Sequence, residues 1–274
     1  MTSRPRSTSS PSDALGADLA GIKQRLAALE KAAHRHDTPN SEYVRLNAAY
    51  FPVQTLYFTS SGTFTKGDYP WLRAIKVICI GGGGGGGGVL SQTNRTAVGQ
   101  SASGGGYCHS FITDIAGLAS SITVTRGVGG AGGAAGANSG FGGGASSFGS
   151  LVSAPGGIGG LLGDASAFFG GTSIFIRGAG PQTTGFVGDY QVIGGAAGHG
   201  WTGGSNFAVS GVGGHSGMGY GSGGTATGSI SDSLNGTVGR AHGGGGSGAT
   251  GANNGTNRAG GNGAVGIVIV ELFA

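Results

Sequence analysis

The stretch Ala74-Ile75-Lys76-Val77-Ile78-Cys79-Ile80 runs straight into eight consecutive glycines, Gly81–Gly88. An apolar strand thus meets a segment with no side chains. The pairing recurs in weaker form until Gly266-Ile267-Val268-Ile269-Val270-Glu271-Leu272-Phe273 near the end of the sequence. Glycine loses more backbone freedom on folding than any other residue, so the fold turns on what this chain does with 67 of them in 274 residues. Glycine and proline contents this high border on low complexity. Solvated disorder, however, goes with high charge and few apolar residues, whereas here 9% of residues are charged and 37% hydrophobic. An ordered fold with dense backbone hydrogen bonding and close packing is the reading that fits.

Working outward, period-2 and apolar runs predict strands at Gln54–Thr59, Thr63–Thr65, Ile75–Ile80, Tyr107–Thr113, Ser121–Arg126, Ala145–Val152, Ser173–Arg177 and Val265–Phe273. Several are apolar on both faces, as central strands are. Val265–Leu272 is expected in the same sheet as Ile75–Ile80, and Trp71 is a candidate core anchor. The connections are long: Gly127–Gly144, Pro155–Gly163, Gly194–Gly204, Gly211–Gly228 and Gly239–Gly263. Compact domains rarely carry structureless loops of that length. Collagen's strict three-residue glycine period is absent. Two readings stay open: runs of tight turns, or polyglycine II, in which extended threefold helices pack side by side and bond laterally because no Cβ intervenes.

The front of the chain differs. Residues 1–12 are Ser/Thr/Pro/Arg-rich. Leu15, Leu19, Ile22, Leu26, Leu29 and Ala33 then follow a heptad seam over residues 13–36, with Asp18/Lys23 and Arg25/Glu30 as matching flank pairs. This predicts a short parallel coiled coil that oligomerises the chain; the alternative is one amphipathic helix packed on its own domain. Residues 37–52 read as a linker or docking segment, and 53–274 as a glycine-rich all-β body. His34 and His36 form a His-x-His pair that could share a metal at a threefold axis; otherwise they are solvated histidines at a helix C-terminus.

Charge and motifs exclude several functions. Residues 1–50 hold seven Lys/Arg and five Asp/Glu, and the other 224 hold eight and six. That is too sparse for a phosphate-binding surface despite a net charge of +4, so no nucleic-acid partner is expected. GxGxxG matches are meaningless in glycine runs without a following helix, and no phosphate-loop lysine or metalloenzyme histidine pattern is present. Isolated carboxylates argue against an enzyme, and no cofactor is expected. No apolar run is long enough to span a membrane and no secretory leader is recognisable, so synthesis in the cytoplasm is expected. Cys79, inside an apolar strand, reads as a buried thiol; a bridge to Cys108 is the alternative.

Aromatic residues within the tracts are the candidate binding residues: His199, Trp201, Phe207, His215 and Tyr220, with Phe186 and Tyr190 beside them. Each either plugs a gap in the core or stands on a loop tip as a rigid contact for sugar or protein.

Three segments carry a family resemblance. They are Phe58-Thr59-Ser60-Ser61-Gly62-Thr63-Phe64-Thr65 leading into Ile75–Gly81; Ile122–Gly130 followed by Ser146-Ser147-Phe148-Gly149 and Ala154-Pro155-Gly156-Gly157; and Gly260–Glu271. Together they resemble the glycine-rich domain of bacteriophage tail fibres and minor tail proteins. The heptad and His34-Arg35-His36 segment is similar to N-termini of minor tail proteins from phages of actinobacteria. The resemblance implies a non-enzymatic virion component, a homotrimer held to other tail-tip proteins by its N-terminal region, with a body that binds a host-surface glycan or protein; a purely structural tail protein is the alternative. The fold class expected is mainly β: an N-terminal coiled-coil helix followed by a sandwich-like β body with long glycine-rich connections.

Overall fold

A computed structural model describes residues 52–163, 174–203, 207–217, 226–227, 232–253 and 255–274. In chain order its strands are β1 (Pro52–Phe58), β2 (Gly62–Thr65), β3 (Ala74–Ile80), β4 (Ala97–Val98), β5 (Tyr107–Ile112), β6 (Ser121–Thr125), β7 (Ser146–Phe148), β8 (Val152–Ala154), β9 (Ile174–Ile176), β10 (Tyr190–Val192), β11 (Gly200–Gly203), β12 (Phe207–Val209), β13 (Ala226–Thr227), β14 (Thr250–Gly251) and β15 (Ile267–Phe273).

The long apolar strands build a sandwich. One sheet has the order β1-β15-β3-β5-β10 and the other β2-β6-β7-β8. β15 lies antiparallel to β3, with Ile267 opposite Ile80 and Val270 opposite Val77, so the two apolar runs at opposite ends of the body are neighbours, as their patterns predict. Ile75, Val77, Val268, Val270 and Leu272 of the first sheet pack on Phe64, Ile122, Val124, Phe148 and Val152 of the second. The other face of the first sheet buries Ile78, Ile80, Ile267 and Ile269, which explains why β3 and β15 are apolar on both faces. Trp71 is partly exposed, edge-on to Tyr69; the aromatic anchors are Phe64 and Phe148, 5.4 Å apart. Ala145–Val152, expected as one strand, is the hairpin β7–β8, because Gly149 turns the chain with φ +53°, a region glycine enters at little cost.

β3 does not end at the glycines; it changes period. The amides of Gly81, Gly84 and Gly87 donate to the carbonyls of Gly106, Ser103 and Gln100. Those of Gly82, Gly85 and Gly88 donate to Gly144, Phe141 and Asn138, and those of Gly83, Gly86 and Val89 to Ala264, Gly261 and Arg258. Each series steps by three residues and runs backwards along its partner, giving three antiparallel neighbours. The carbonyls reach three parallel ones. Gly82, Gly85 and Gly88 accept from Gly157, Gly160 and Gly163; Gly83, Gly86 and Val89 from Gly130, Gly133 and Gly136; Gly84 and Gly87 from Gly246 and Ala249. Three donor and three acceptor directions at three residues per turn define polyglycine II: an extended helix with no internal hydrogen bonds, here encircled by six others. The six also bond around the ring, as in Gly143 to Gly157, Gly144 to Val128, Gly263 to Gly130, Gly261 to Ser247, Ala102 to Gly246 and Ser103 to Ile158.

Glycine is obligatory on the axis. A Cβ placed on any residue from Gly81 to Gly88 would lie 1.9–2.3 Å from a neighbour's backbone atom, a carbonyl oxygen in every case. The same direction points each Cα–H at that oxygen, a weak bond worth about 0.5–1 kcal/mol. The whole run is buried, and its amides are all bonded, as buried backbone requires.

These observations correct the expected fold class. Among the described residues there is no α-helix, only a 3-10 turn at Lys66–Asp68, so these residues form a mainly β fold and give no support to the expected N-terminal coiled-coil helix. The heptad residues Leu15, Leu19, Ile22, Leu26, Leu29 and Ala33, with His34 and His36, lie outside the described residues. The glycine-rich connections are not loops hung on a sandwich either; much of their length forms a second core made of backbone.

Cys79 and Cys108 face each other across β3 and β5, both buried and both free thiols. Burial first, and the neighbouring Cys108 second, push the Cys79 thiol up to about 12. Burial is also the main cause that raises Cys108. A raised thiol pKa keeps the proton on, so raising pH from 7 to 9 populates no thiolate at Cys79 in the folded chain. Labelling with an aromatic disulfide reagent is therefore expected to stay negligible at both pH values and to reach both cysteines only in denaturant; prompt labelling of folded protein would contradict the burial. For the axis, Gly85→Ala drives its methyl into the Ala131 carbonyl, at 2.1 Å. It is expected to cost more than about 4 kcal/mol in denaturant titration, the range reserved for named steric failures. Gly67→Ala, with nothing within 4 Å of the new methyl, should stay within about 0.5 kcal/mol.

Candidate functional site

The bundle has two distinct ends. At one, the axis joins the sandwich, where the body's first described strand β1 pairs with its last, β15. At the other, Val89 bridges Gly163 and Arg258, β4 pairs with β14, and Val89, Ala97 and Ala249 form a small apolar plug. Nine residues from Gly81 to Val89, at about 3.1 Å each, put these ends roughly 25 Å apart.

The far end is capped by polar connections. The Ser91 amide donates to Asn257 Oδ1 at 3.0 Å, its hydroxyl donates to the Thr256 carbonyl at 2.9 Å, and Ser233 Oγ lies 3.3 Å from Ser91 Oγ. The Asn94 amide donates to Asn253 Oδ1, with Asn94 itself at φ 61°, a conformation asparagine tolerates better than most residues. Arg95 donates to Gln92 Oε1 at 3.0 Å. Asn and Ser side chains here tie residues 91–94 to residues 253–257 by bonding to backbone across the cap.

Beside this cap lies a four-stranded sheet of order β13-β12-β11-β9. It prolongs outer segments of the bundle: Gly104 donates to Gly195 and Gly214 to Ala102, and by Gly200 the chain has reached Val98, whose side chain fills the space a Cβ would need. Strand alternation then sorts the residues. Thr202 and Ala208 are buried. On the other face Trp201 stands opposite Phe175 and Val209, and its ring meets Phe207 at 5.0 Å and 64°. Phe175 is 73% exposed.

Of the sequence candidates, Trp201 and Phe207 are therefore brought together, and His199 is exposed at the entrance to β11. His215 is not with them: its carbonyl accepts from Gly195 and its ring occupies the space above that glycine, partway along the bundle. Tyr220 lies outside the described residues. Phe186 packs on the sandwich core, where it plugs the space over Gly106. Tyr190 is at the sandwich end, its ring 5.1 Å from His109, which Tyr107 meets at 3.1 Å through its hydroxyl. Phe175 was hidden because a three-residue apolar strand reads as core; its exposure follows only from the register that sets it opposite Trp201.

No group of three or more His, Cys, Asp or Glu comes together among the described residues, and the cysteines are protonated. Among the described residues Lys76 and Glu271 form an ion pair at 3.5 Å; it is partly exposed and worth about 0–1 kcal/mol. The exposed Phe175 ring, with half-buried Trp201 and Phe207 beside it, next to a cap of amides and hydroxyls forms an amphipathic surface.

A search of curated proteins finds no match to the chain. A family profile described as a glycine-rich domain matches residues 59–273, which takes in the sandwich except its edge strand β1, the polyglycine bundle and the sheet bearing Trp201. The chain belongs to the glycine-rich domain family.

Proposed function

We propose that the chain is an attachment component of a bacteriophage tail tip, a fibre or adhesin that binds the host surface non-covalently. The observation that carries this reading is positional. The aromatic face Phe175–Trp201–Phe207 and the Ser/Asn/Thr cap lie at the end of the bundle opposite the β1–β15 pair, where the body's chain enters. A stiff backbone rod with a contact surface at its far end suits an attachment role, and the tail-protein resemblance of the flanking segments supplies the setting. The ligand class is a neutral glycan or protein surface: rings for stacking, amides and hydroxyls for hydrogen bonds, and few charges.

The test is binding of the fluorescently labelled full chain to a panel of actinobacterial cells and purified cell walls. Wild type is expected to bind a subset. Phe175→Ala with Trp201→Ala is expected to weaken that binding by about tenfold or more, the range for buried aromatic contacts. Binding to no envelope, or undiminished binding by the double variant, would overturn the proposal.

A further inference from the structure

The hexagonal bundle is covered unevenly. Segments 100–106, 243–249 and 258–264 of the ring carry a second layer: Ala179 donates to Ser101, Gly214 to Ala102, Gly245 to Gly214, Gly236 to Ala259 and Gly239 to Asn262. The adjoining ring segments 127–136, 138–144 and 155–163 present side chains to the outside. Their burial follows the helix period. Gly127, Gly130, Gly133 and Gly136 are buried while Val128, Ala131 and Ala134 are exposed, and Gly157, Gly160 and Gly163 are buried while Ile158 and Leu161 are exposed. Between these rows stands Phe141, whose amide bonds Ala131. Val128, Phe141 and Leu161 are 60%, 68% and 63% exposed.

Not one Asp, Glu, Lys, Arg or His occurs from Gly127 to Gly163. A face of the described body with large apolar side chains and no charge is not a surface shaped for water. We propose that this face docks against the same face of a second copy of the chain. Three features favour a copy over another partner. The rows repeat every three residues, about 9 Å, so a copy turned face to face offers ridges of the same spacing that interleave after a half-step. The face holds no charge that would select a charged partner, so two copies of a +4 chain bring together no like charges of the face itself. The face is about 30 Å long from residues 127 to 136 and spans three hydrogen-bonded segments, roughly 15 Å across with side chains. A footprint of roughly 450 Å² before side-chain ridges are counted is the size of a small, weak interface rather than the about 800 Å² per partner of a standard one. A two-fold, isologous contact is the arrangement that uses one face twice.

The test is sedimentation velocity on the full chain across a micromolar concentration series, with Phe141→Ser/Leu161→Ser and, separately, Val128→Lys. These exposed positions leave the axis untouched, and matched thermal unfolding checks that each variant is folded. Wild type should associate, and both variants should weaken association by about tenfold or more; Val128→Lys should do so more strongly at low salt, where facing charges repel. A wild-type chain that stays monomeric would overturn the proposal and assign the face to residues 164–173 or another protein. Association unaltered in both variants would overturn it as well, placing self-contact elsewhere.

Discussion

The lateral backbone hydrogen bond between Cβ-free threefold segments is the interaction on which everything else here depends. It works only where neighbouring backbones come close enough that a methyl would strike a carbonyl, which is the situation of every residue from Gly81 to Gly88. That closeness dictates which residues may enter the axis, how many neighbours surround it, and where ring segments may carry side chains. It does not supply stability alone. Ordering a residue costs about 1–2 kcal/mol, and more for glycine, against about 0.5–1.5 kcal/mol net per hydrogen bond. Cα–H contacts and dispersion in a close-packed backbone narrow the gap.

The sandwich supplies what the bundle lacks. Its core buries Phe64, Phe148, Ile75, Leu272 and the central valines, and β3 leads without a break from that core into the axis. Ring segments likewise leave the sandwich or approach it: β15 follows Gly266, β5 follows Gly106 and β8 precedes Pro155. Apolar burial thus fixes several ends of the rods, and rods so placed need only close the lateral bonds. Ser146 shows the joint in detail: its hydroxyl donates to the Ile80 carbonyl at 2.6 Å and accepts from the Gly127 amide at 2.9 Å, where sheet pairing gives way to the threefold pattern.

What could be read from the sequence divides along the same line. Strands with side chains announced themselves, down to the partnership of β3 with β15, because apolar alternation is local information. The glycine tracts announced only that something needed them. A run without side chains carries no mark of which neighbour each amide will find; that is set by where the sandwich anchors the rods. Part of the signal was nevertheless present. Val128, Ala131 and Ala134, like Ile158 and Leu161, recur at three-residue spacing, the outer face of a threefold helix, although no uniform period runs through whole tracts. The candidate site was half legible for similar reasons. Trp201 and Phe207 meet through a short hairpin-like pairing, whereas His215 is carried away because Gly214 is committed to Ala102. The tail-protein resemblance located the sandwich segments but said nothing of the hexagonal packing between them.

This division bears on where such a protein can vary. A substitution on the axis meets backbone on every side. A one-residue insertion there rotates all later residues by a third of a turn and exchanges every neighbour, much as a one-residue slip reverses the faces of a strand. Three-residue changes restore the rotation but must be matched in all six surrounding segments. No such rule reaches Ser91–Arg95 or Gly255–Asn257, which lie beyond the last bonded residues of the rods, Val89 and Arg258. The architecture therefore concentrates tolerance to change at the end that carries Trp201 and Phe175, and the backbone core that forbids side chains on the axis is what frees the end to carry them.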